Sequence, residues 1–295
     1  MMINMQRYFN AGDAQSAGGG AKVLDTHVHF WKFDRKRDAW ITDDMKILQQ
    51  NYLPEQLAGT LHRNGVDGVI AVQADQQEVE TRFLVELAKT HPLIRGVVGW
   101  VDLQAENIAD RLDHFSQFSI IKGFRHVAQA EPDDFLLQKN FQRGIAALQT
   151  HNYSYDILIY QHQLPAALQL VRKFPGQRFI IDHCAKPDIR SKNISDWKIL
   201  MAEIAKCPNV CCKLSGLFTE AKWSSWTPAD FYPCLDTVFE AFGTDRLVFG
   251  SDWPVILVAG MYVQWKSLLE KYMEKFKLED REKVFGLNGA AFYEV

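Results

Sequence analysis

Eight short apolar, β-rich runs recur along this chain, and helix-like segments separate them. The runs are Lys22–His29, Gly68–Gln73, Arg95–Val101, Ile120–His126, Tyr155–Tyr160, Arg178–His183, Val210–Leu214 and Arg246–Gly250. Apolar residues at spacings of three and four fill the intervals, as in Thr81–Lys89, Phe135–Thr150, Leu164–Phe174 and Phe231–Phe242. Strict alternation of strand and helix predicts parallel βαβ units, because parallel neighbours need a crossover. Eight units predict a closed (β/α)8 TIM barrel in a single domain. An open doubly wound sheet is the alternative, but no G-x-G-x-x-G string follows the first run.

A chain of 295 residues that is 47% hydrophobic can bury a large core. A net charge of −3 with no basic stripe points away from nucleic acid and anionic membranes. No stretch of 18 apolar residues is present, so no membrane span is expected. The glycine-rich string before residue 21 reads as a flexible leader over 1–20, with a catalytic domain over 21–295. Five cysteines, an odd number with no C-x-x-C pair, read as reduced thiols in a cytoplasmic enzyme.

Polar residues repeatedly end the apolar runs, which a fold-only account does not require. The first run ends in His27 and His29, one residue apart and so on one face of a strand together with Asp25. Gln73 ends the second, Arg125 and His126 the fourth, Tyr160 the fifth and His183 the sixth, and Asp252 follows the eighth. In the fourth run Arg125 shares the inward parity with Gly123, so Lys122 should point outward. Each residue alone has an ordinary structural explanation: a hydrogen-bonded strand-end His, a capping Asp, an ion-paired Arg. Together, at the C-terminal rim where barrel enzymes place their chemistry, they make a candidate site. Two longer stretches, Phe30–Tyr52 and Leu217–Thr227, follow strand ends and carry Trp31, Phe33, Trp40, Phe218, Trp223 and Trp226. Some of these aromatics should reach a substrate.

The strings Asp25–Trp31, Gly96–Leu103, Lys122–His126, His162–Leu164, Ile181–Pro187 and Gly250–Val255 occur in order across nearly the whole chain. In this they resemble the amidohydrolase superfamily, in its amidohydrolase 2 branch, and within it the sugar-lactone and 2-pyrone-4,6-dicarboxylate lactonases. The resemblance implies hydrolysis of a small-molecule lactone. Asp252 would be the general base, and His183, His27 and His29 would stabilise charge. Arg125, Tyr160, Trp253, Trp31 and Gln73 would contact the substrate. Burial among aromatic rings could raise the Asp252 pKa and make it a better base. His27, His29 and Asp252 could hold one divalent ion, zinc by ligand type, although some lactonases of this branch work without metal. A second ion has no cage, because Lys122 has the wrong parity and the fifth run ends in Tyr160. Few site cations favour a neutral aldonolactone, such as a fucono-, galactono- or rhamnono-lactone, over a pyrone dicarboxylate. The rival readings are a metal-dependent decarboxylase and a non-catalytic sugar-binding barrel.

Overall fold

The computed structural model describes residues 22–295; the leader expected over 1–20 lies outside them. Eight strands form one sheet in sequential order: β1 Leu24–Val28, β2 Gly68–Val72, β3 Ile94–Gly99, β4 Ile121–His126, β5 Ser154–Ile157, β6 Phe179–Ile181, β7 Val210–Leu214 and β8 Leu247–Phe249. Every neighbouring pair is parallel. The sheet curls until its ends meet just past β1 and β8. The Asp252 N–H donates to the His27 carbonyl (2.9 Å), and the His29 N–H donates to the Trp253 carbonyl (2.7 Å). The Thr26 hydroxyl adds a bond to the Phe249 carbonyl at 2.7 Å. The expected (β/α)8 barrel is the observed fold.

Helices cover the outside: α1 Pro54–Arg63, α2 Glu78–Thr90, α3 Ile108–Ser116, α4 Lys139–Thr150, α5 Leu164–Lys173 and α6 Ser195–Ala205. They continue with the short α7 Leu217–Glu220, then α8 Pro228–Phe242 and α9 Tyr262–Met273. Local chemistry sets their ends. Pro54 and Pro228 open α1 and α8, where a missing N–H costs nothing. Asp230 accepts from the Thr227 N–H at 2.7 Å in a capping box. Gly243, at φ +65 and ψ −174, takes a backbone conformation open essentially only to glycine and stops α8. The helical pattern expected over Phe135–Thr150 is interrupted: a 3₁₀ turn at Phe135–Leu137 precedes α4.

Two apolar layers result. The outer one lies between strands and helices. The inner one fills the barrel with Ile70, Val72, Val98, Ile180 and Val248, and Phe292 and Tyr293 from the C-terminal helix pack into it. The strands are shorter than the apolar runs, because the last residues of several runs leave the ladder to build the upper rim. The lower half of the barrel is thus dry and the upper half polar. In the loop after β1, Trp31 and Tyr52 exchange backbone hydrogen bonds of 2.9 Å and pack edge to face. Tyr52 in turn meets Trp253 at 5.2 Å between ring centres, which ties this loop to the chain after β8.

Candidate active site

The His27–His29 pair stands at the top of β1. A bulge shifts the β1–β2 register between Asp25 and Val28 and moves the pair onto the inner face. It also separates them from Asp25, contrary to simple alternation. Leu24 packs into the inner cluster, whereas Asp25 accepts from the Tyr262 hydroxyl of α9 at 2.9 Å. Asp25 also accepts from the His27 N–H (3.1 Å) and the Ser251 N–H (2.9 Å). One buried carboxylate thereby holds the end of β1 against the turn that carries Asp252. Burial pushes the Asp25 pKa up to about 6, against those hydrogen bonds.

His183 was expected to end a sixth strand. Instead β6 stops at Ile181, and His183, Cys184, Ala185 and Lys186 take φ values of +54, +52, +57 and +47. Four successive side-chain-bearing residues in the left-handed region are costly, on the order of 1 kcal/mol each. The turn is tied down by the Trp197 indole N–H on the Cys184 carbonyl (2.7 Å) and by the Lys186 N–H on the His183 carbonyl (2.8 Å). It swings His183 over the barrel mouth, with its ring centre 4.4 Å from that of His27. His183 Nδ1 lies 2.9 Å from the Ser215 hydroxyl. The next residue is Gly216, at φ +64, where a Cβ would stand 2.4 Å from His183 Nδ1. Glycine is needed there on both counts. Asp252, at φ +61, projects inward from the turn after β8.

These turns bring four predicted residues together. His27 Nε2 and His29 Nε2 are 3.2 Å apart. Asp252 Oδ1 lies 3.4 Å from His29 Nε2, 3.8 Å from His27 Nε2 and 3.9 Å from His183 Nε2. His29 Nδ1 faces the Val72 carbonyl at 2.8 Å, so that nitrogen carries the proton and Nε2 offers a lone pair. The Asp182 carboxylate faces His27 Nδ1 at 3.4 Å, which places the proton on that nitrogen and leaves the Nε2 lone pair toward the site, with Arg125 Nη1 3.2 Å away. Two lone pairs and a carboxylate oxygen thus face each other, an arrangement that favours a cation between them. A tetrahedral zinc with bonds of about 2.1 Å has ligand–ligand edges of about 3.4 Å. The observed triangle fits. A second group, His27, Asp182 and His183, also has ligand atoms within 4.8 Å of one another. Its space is taken by the Lys213 ammonium, 2.9 Å from Asp182 Oδ1 and 3.2 Å from His27 Nδ1.

The charges beneath were not foreseen. Lys213 of β7, fully buried, also pairs with Asp156 Oδ2 of β5 at 2.5 Å, and the Tyr293 hydroxyl donates to the same oxygen at 2.8 Å. Asp182 Oδ2 accepts from Arg125 Nη1 at 3.0 Å, and Asp182 Oδ1 faces His27 Nδ1 at 3.4 Å. A carboxylate behind a ligating imidazole is the usual way to fix its ring and tautomer. The signal for these residues was present: Asp156, Asp182 and Lys213 are lone charges inside apolar runs, and a buried charge requires partners.

Burial, the largest influence, pushes His27 and His183 down; His183 falls to about 4, so both imidazoles are neutral at pH 7. Burial alone would raise Asp252, but His183, His29 and His27 more than offset it and hold the carboxyl below its ordinary value. The expectation of a raised Asp252 pKa is therefore reversed. Asp182 is also held well below its ordinary value: burial opposes ionisation, and Lys213, His27 and Arg125 outweigh it.

The remaining predicted residues divide. Arg125 is buried; Nη1 donates to Asp182 and Nη2 to the Gln73 carbonyl (2.5 Å), while among the described residues Nε has no partner. It does not present a free fork to a ligand. Gln73 is fully buried, and its amide donates to the Arg125 carbonyl at 3.2 Å, while among the described residues Oε1 has no partner. Trp31 is buried, with its indole N–H on the Gln50 carbonyl (2.9 Å) and its ring against Trp40 and Tyr52. Trp253 follows Asp252 and packs on Phe30 and Tyr52. Tyr160 lies beyond the end of β5 on the rim and is 38% exposed, apart from the histidine cluster. Lys122 points away from the site, its ammonium on the Glu294 carbonyl at 3.1 Å.

Comparison with known proteins agrees with this geometry. The sequence profile of the amidohydrolase family matches residues 24–295. An L-fucono-1,5-lactonase from Burkholderia multivorans is 37% identical over 286 residues, which cover 93% of this chain and 96% of the relative. An L-fucono-1,5-lactonase from Burkholderia ambifaria is 33% identical over 280 residues, covering 92% and 95%. The crystal structure of a Burkholderia multivorans amidohydrolase with bound zinc superposes with a TM-score of 0.91 at 36% identity, covering 93% of this chain and all of that one. With its barrel, its rim of histidines and carboxylates and a family match that spans the described chain, this protein belongs to the amidohydrolase family.

Proposed function

We propose that this enzyme opens the ester ring of an aldonolactone, such as an L-fucono-, L-galactono- or L-rhamnono-lactone, by water attack, with one zinc ion held by His27, His29 and Asp252. The reading rests chiefly on the meeting of His27 Nε2, His29 Nε2 and Asp252 Oδ1 within 3.8 Å of one another, in a chain whose relatives at 33–37% identity are L-fucono-1,5-lactonases. The Lys213 ammonium in the neighbouring group argues for a single ion.

Zinc bound there would supply Lewis acidity, polarising the ester carbonyl and lowering the pKa of water. The protein's own groups do the rest. Asp252, ionised at neutral pH, takes the proton of the attacking water at its carboxylate. His183, neutral and with Nδ1 on the Ser215 hydroxyl, turns Nε2–H toward the oxygen that gains charge. Asp182 holds the His27 ring from behind at Nδ1, Lys213 and Arg125 hold Asp182, and Gln73 holds Arg125. Trp253, next to Asp252 and packed on Phe30 and Tyr52, supplies apolar cover beside the carboxylate. A pyrone dicarboxylate would need two free cations over the site; the Arg125 guanidinium is already engaged, and the Lys186 ammonium has the Glu220 carboxylate 3.9 Å away. We also place the enzyme in the cytoplasm, on the strength of its five unpaired thiols; among the described residues no helix is long and apolar enough to cross a membrane.

The test is acid release from a panel of aldonolactones, paired with elemental analysis and exhaustive chelation. Turnover by protein holding about one zinc per chain, lost on chelation and regained with zinc, is expected. A panel with no substrate overturns the lactonase reading, and full activity in metal-free protein overturns the role given to zinc.

A further inference from the structure

With Arg125 tied down, the polar groups for a sugar ring must come from elsewhere on the rim. Lys186 closes the left-handed turn that begins at His183, and Glu220 ends α7, which follows the Ser215–Gly216 step beside His183. Both side chains are largely enclosed, 15% and 18% exposed. Their charged atoms stand 3.9 Å apart, too far for a direct hydrogen bond. Among the described residues the Glu220 carboxylate has one hydrogen-bond donor, the Thr219 hydroxyl at a long 3.3 Å. The Lys186 ammonium rests over the Tyr160 ring, 5.3 Å from its centre, and makes no hydrogen bond among the described residues. Two enclosed charges with so few partners are unusual in a folded protein. A hydroxyl oxygen about 2.8 Å from each atom would span that gap at roughly a right angle, accepting from Lys186 and donating to Glu220. The pair also lies within electrostatic reach of the chemistry: Lys186 depresses His183, and Asp252 raises Glu220.

We propose that Lys186 and Glu220, braced by Tyr160, form a hydroxyl-binding clamp that selects polyhydroxylated lactones over bare ones. The proposal rests on the lactonase reading and deepens it. A hydroxyl between an ammonium and a carboxylate satisfies both at once, whereas an unsubstituted ring leaves both desolvated and unpaired. Discrimination against the analogue that lacks the hydroxyl is therefore strong.

The experiment compares kcat/KM for an aldono-1,5-lactone and for δ-valerolactone, which carries no hydroxyl, in the wild-type enzyme and in Lys186→Met, Glu220→Leu and the double variant. Tm and zinc content establish that each variant is folded and loaded, and Glu220→Gln serves if Glu220→Leu does not fold. The wild type is expected to prefer the hydroxylated ring by more than tenfold. Each single variant should cut that preference at least tenfold, and the double variant should lose little more than the worse single, because both partners hold one hydroxyl. If valerolactone turnover is too slow to measure, the loss is read as a rise in KM for the aldonolactone that exceeds any fall in kcat. Equal losses on both lactones, or an unchanged preference, overturn the clamp. A wild type that opens neither lactone overturns the underlying lactonase reading instead.

Discussion

Replacing Lys213 by Met should be the most damaging single change to the buried polar layer. The side chain keeps its length, but the ammonium that bridges Asp156 Oδ2 (2.5 Å) and Asp182 Oδ1 (2.9 Å) is gone. Arg125 still pairs with Asp182 at 3.0 Å, so Asp156 is the group left without a cation. Removing one partner of a buried ion pair costs about 3–5 kcal/mol, because the other remains desolvated. A chain of this length has an unfolding entropy of roughly 0.6 kcal/mol/K, so the loss corresponds to a fall in Tm of about 5–8 °C. Asp156→Asn alone should cost less, about 1–2 kcal/mol, since burial already raises the Asp156 pKa to about 6 and Lys213 retains Asp182. The double variant should be more stable than Lys213→Met, because the orphaned charge is gone. Urea titration of the four proteins at pH 7, with Tm as a second measure, closes the cycle. A Lys213→Met protein within about 2 °C of wild type, or strict additivity of the two changes, would refute the reasoning.

Three further outcomes are expected. Asp252→Asn should reduce lactone turnover by about 10²–10⁴-fold with Tm within a few degrees of wild type, and near-normal kcat would assign the proton to another group. Glu80 is buried, and desolvation raises its pKa from 4.5 to about 7, so the folded state holds its proton more tightly than the unfolded state and wild-type stability falls as pH rises across that window. Glu80→Gln should therefore gain stability relative to wild type on going from pH 5 to pH 8, by at most about 3 kcal/mol, and a pH-independent difference in Tm would show that Glu80 titrates normally. Gly216→Ala drives a methyl group against His183 Nδ1 and strains a φ of +64, so it should lower kcat by more than tenfold and Tm by a few degrees; a fully active Ala variant would mean that His183 can move without consequence.

Local periodicity carries the architecture of this protein and marks where its chemistry lies. Eight β-rich runs alternating with amphipathic helices leave a parallel barrel as the compact solution, and polar strand ends mark its upper rim. His27, His29, His183 and Asp252 were legible on those grounds, and the structure brings all four within a few ångströms of one another. The tertiary structure decided what depends on several strands at once. A single bulge moved Asp25 off the face of His27, which strict alternation cannot register. A run of left-handed residues carried His183 out of its strand and left Asp182 as the inward residue. Arg125 had the right parity for a ligand, yet its guanidinium is committed beneath the site, because Asp182 and the Gln73 carbonyl close around it from β6 and β2. Lys213 and Asp156 stand 57 positions apart in the chain and are unremarkable separately. They acquire meaning when the curled sheet brings β5 and β7, on either side of β6, to one patch of the barrel interior, since a buried charge is tolerated only where the closed barrel delivers its counter-charge.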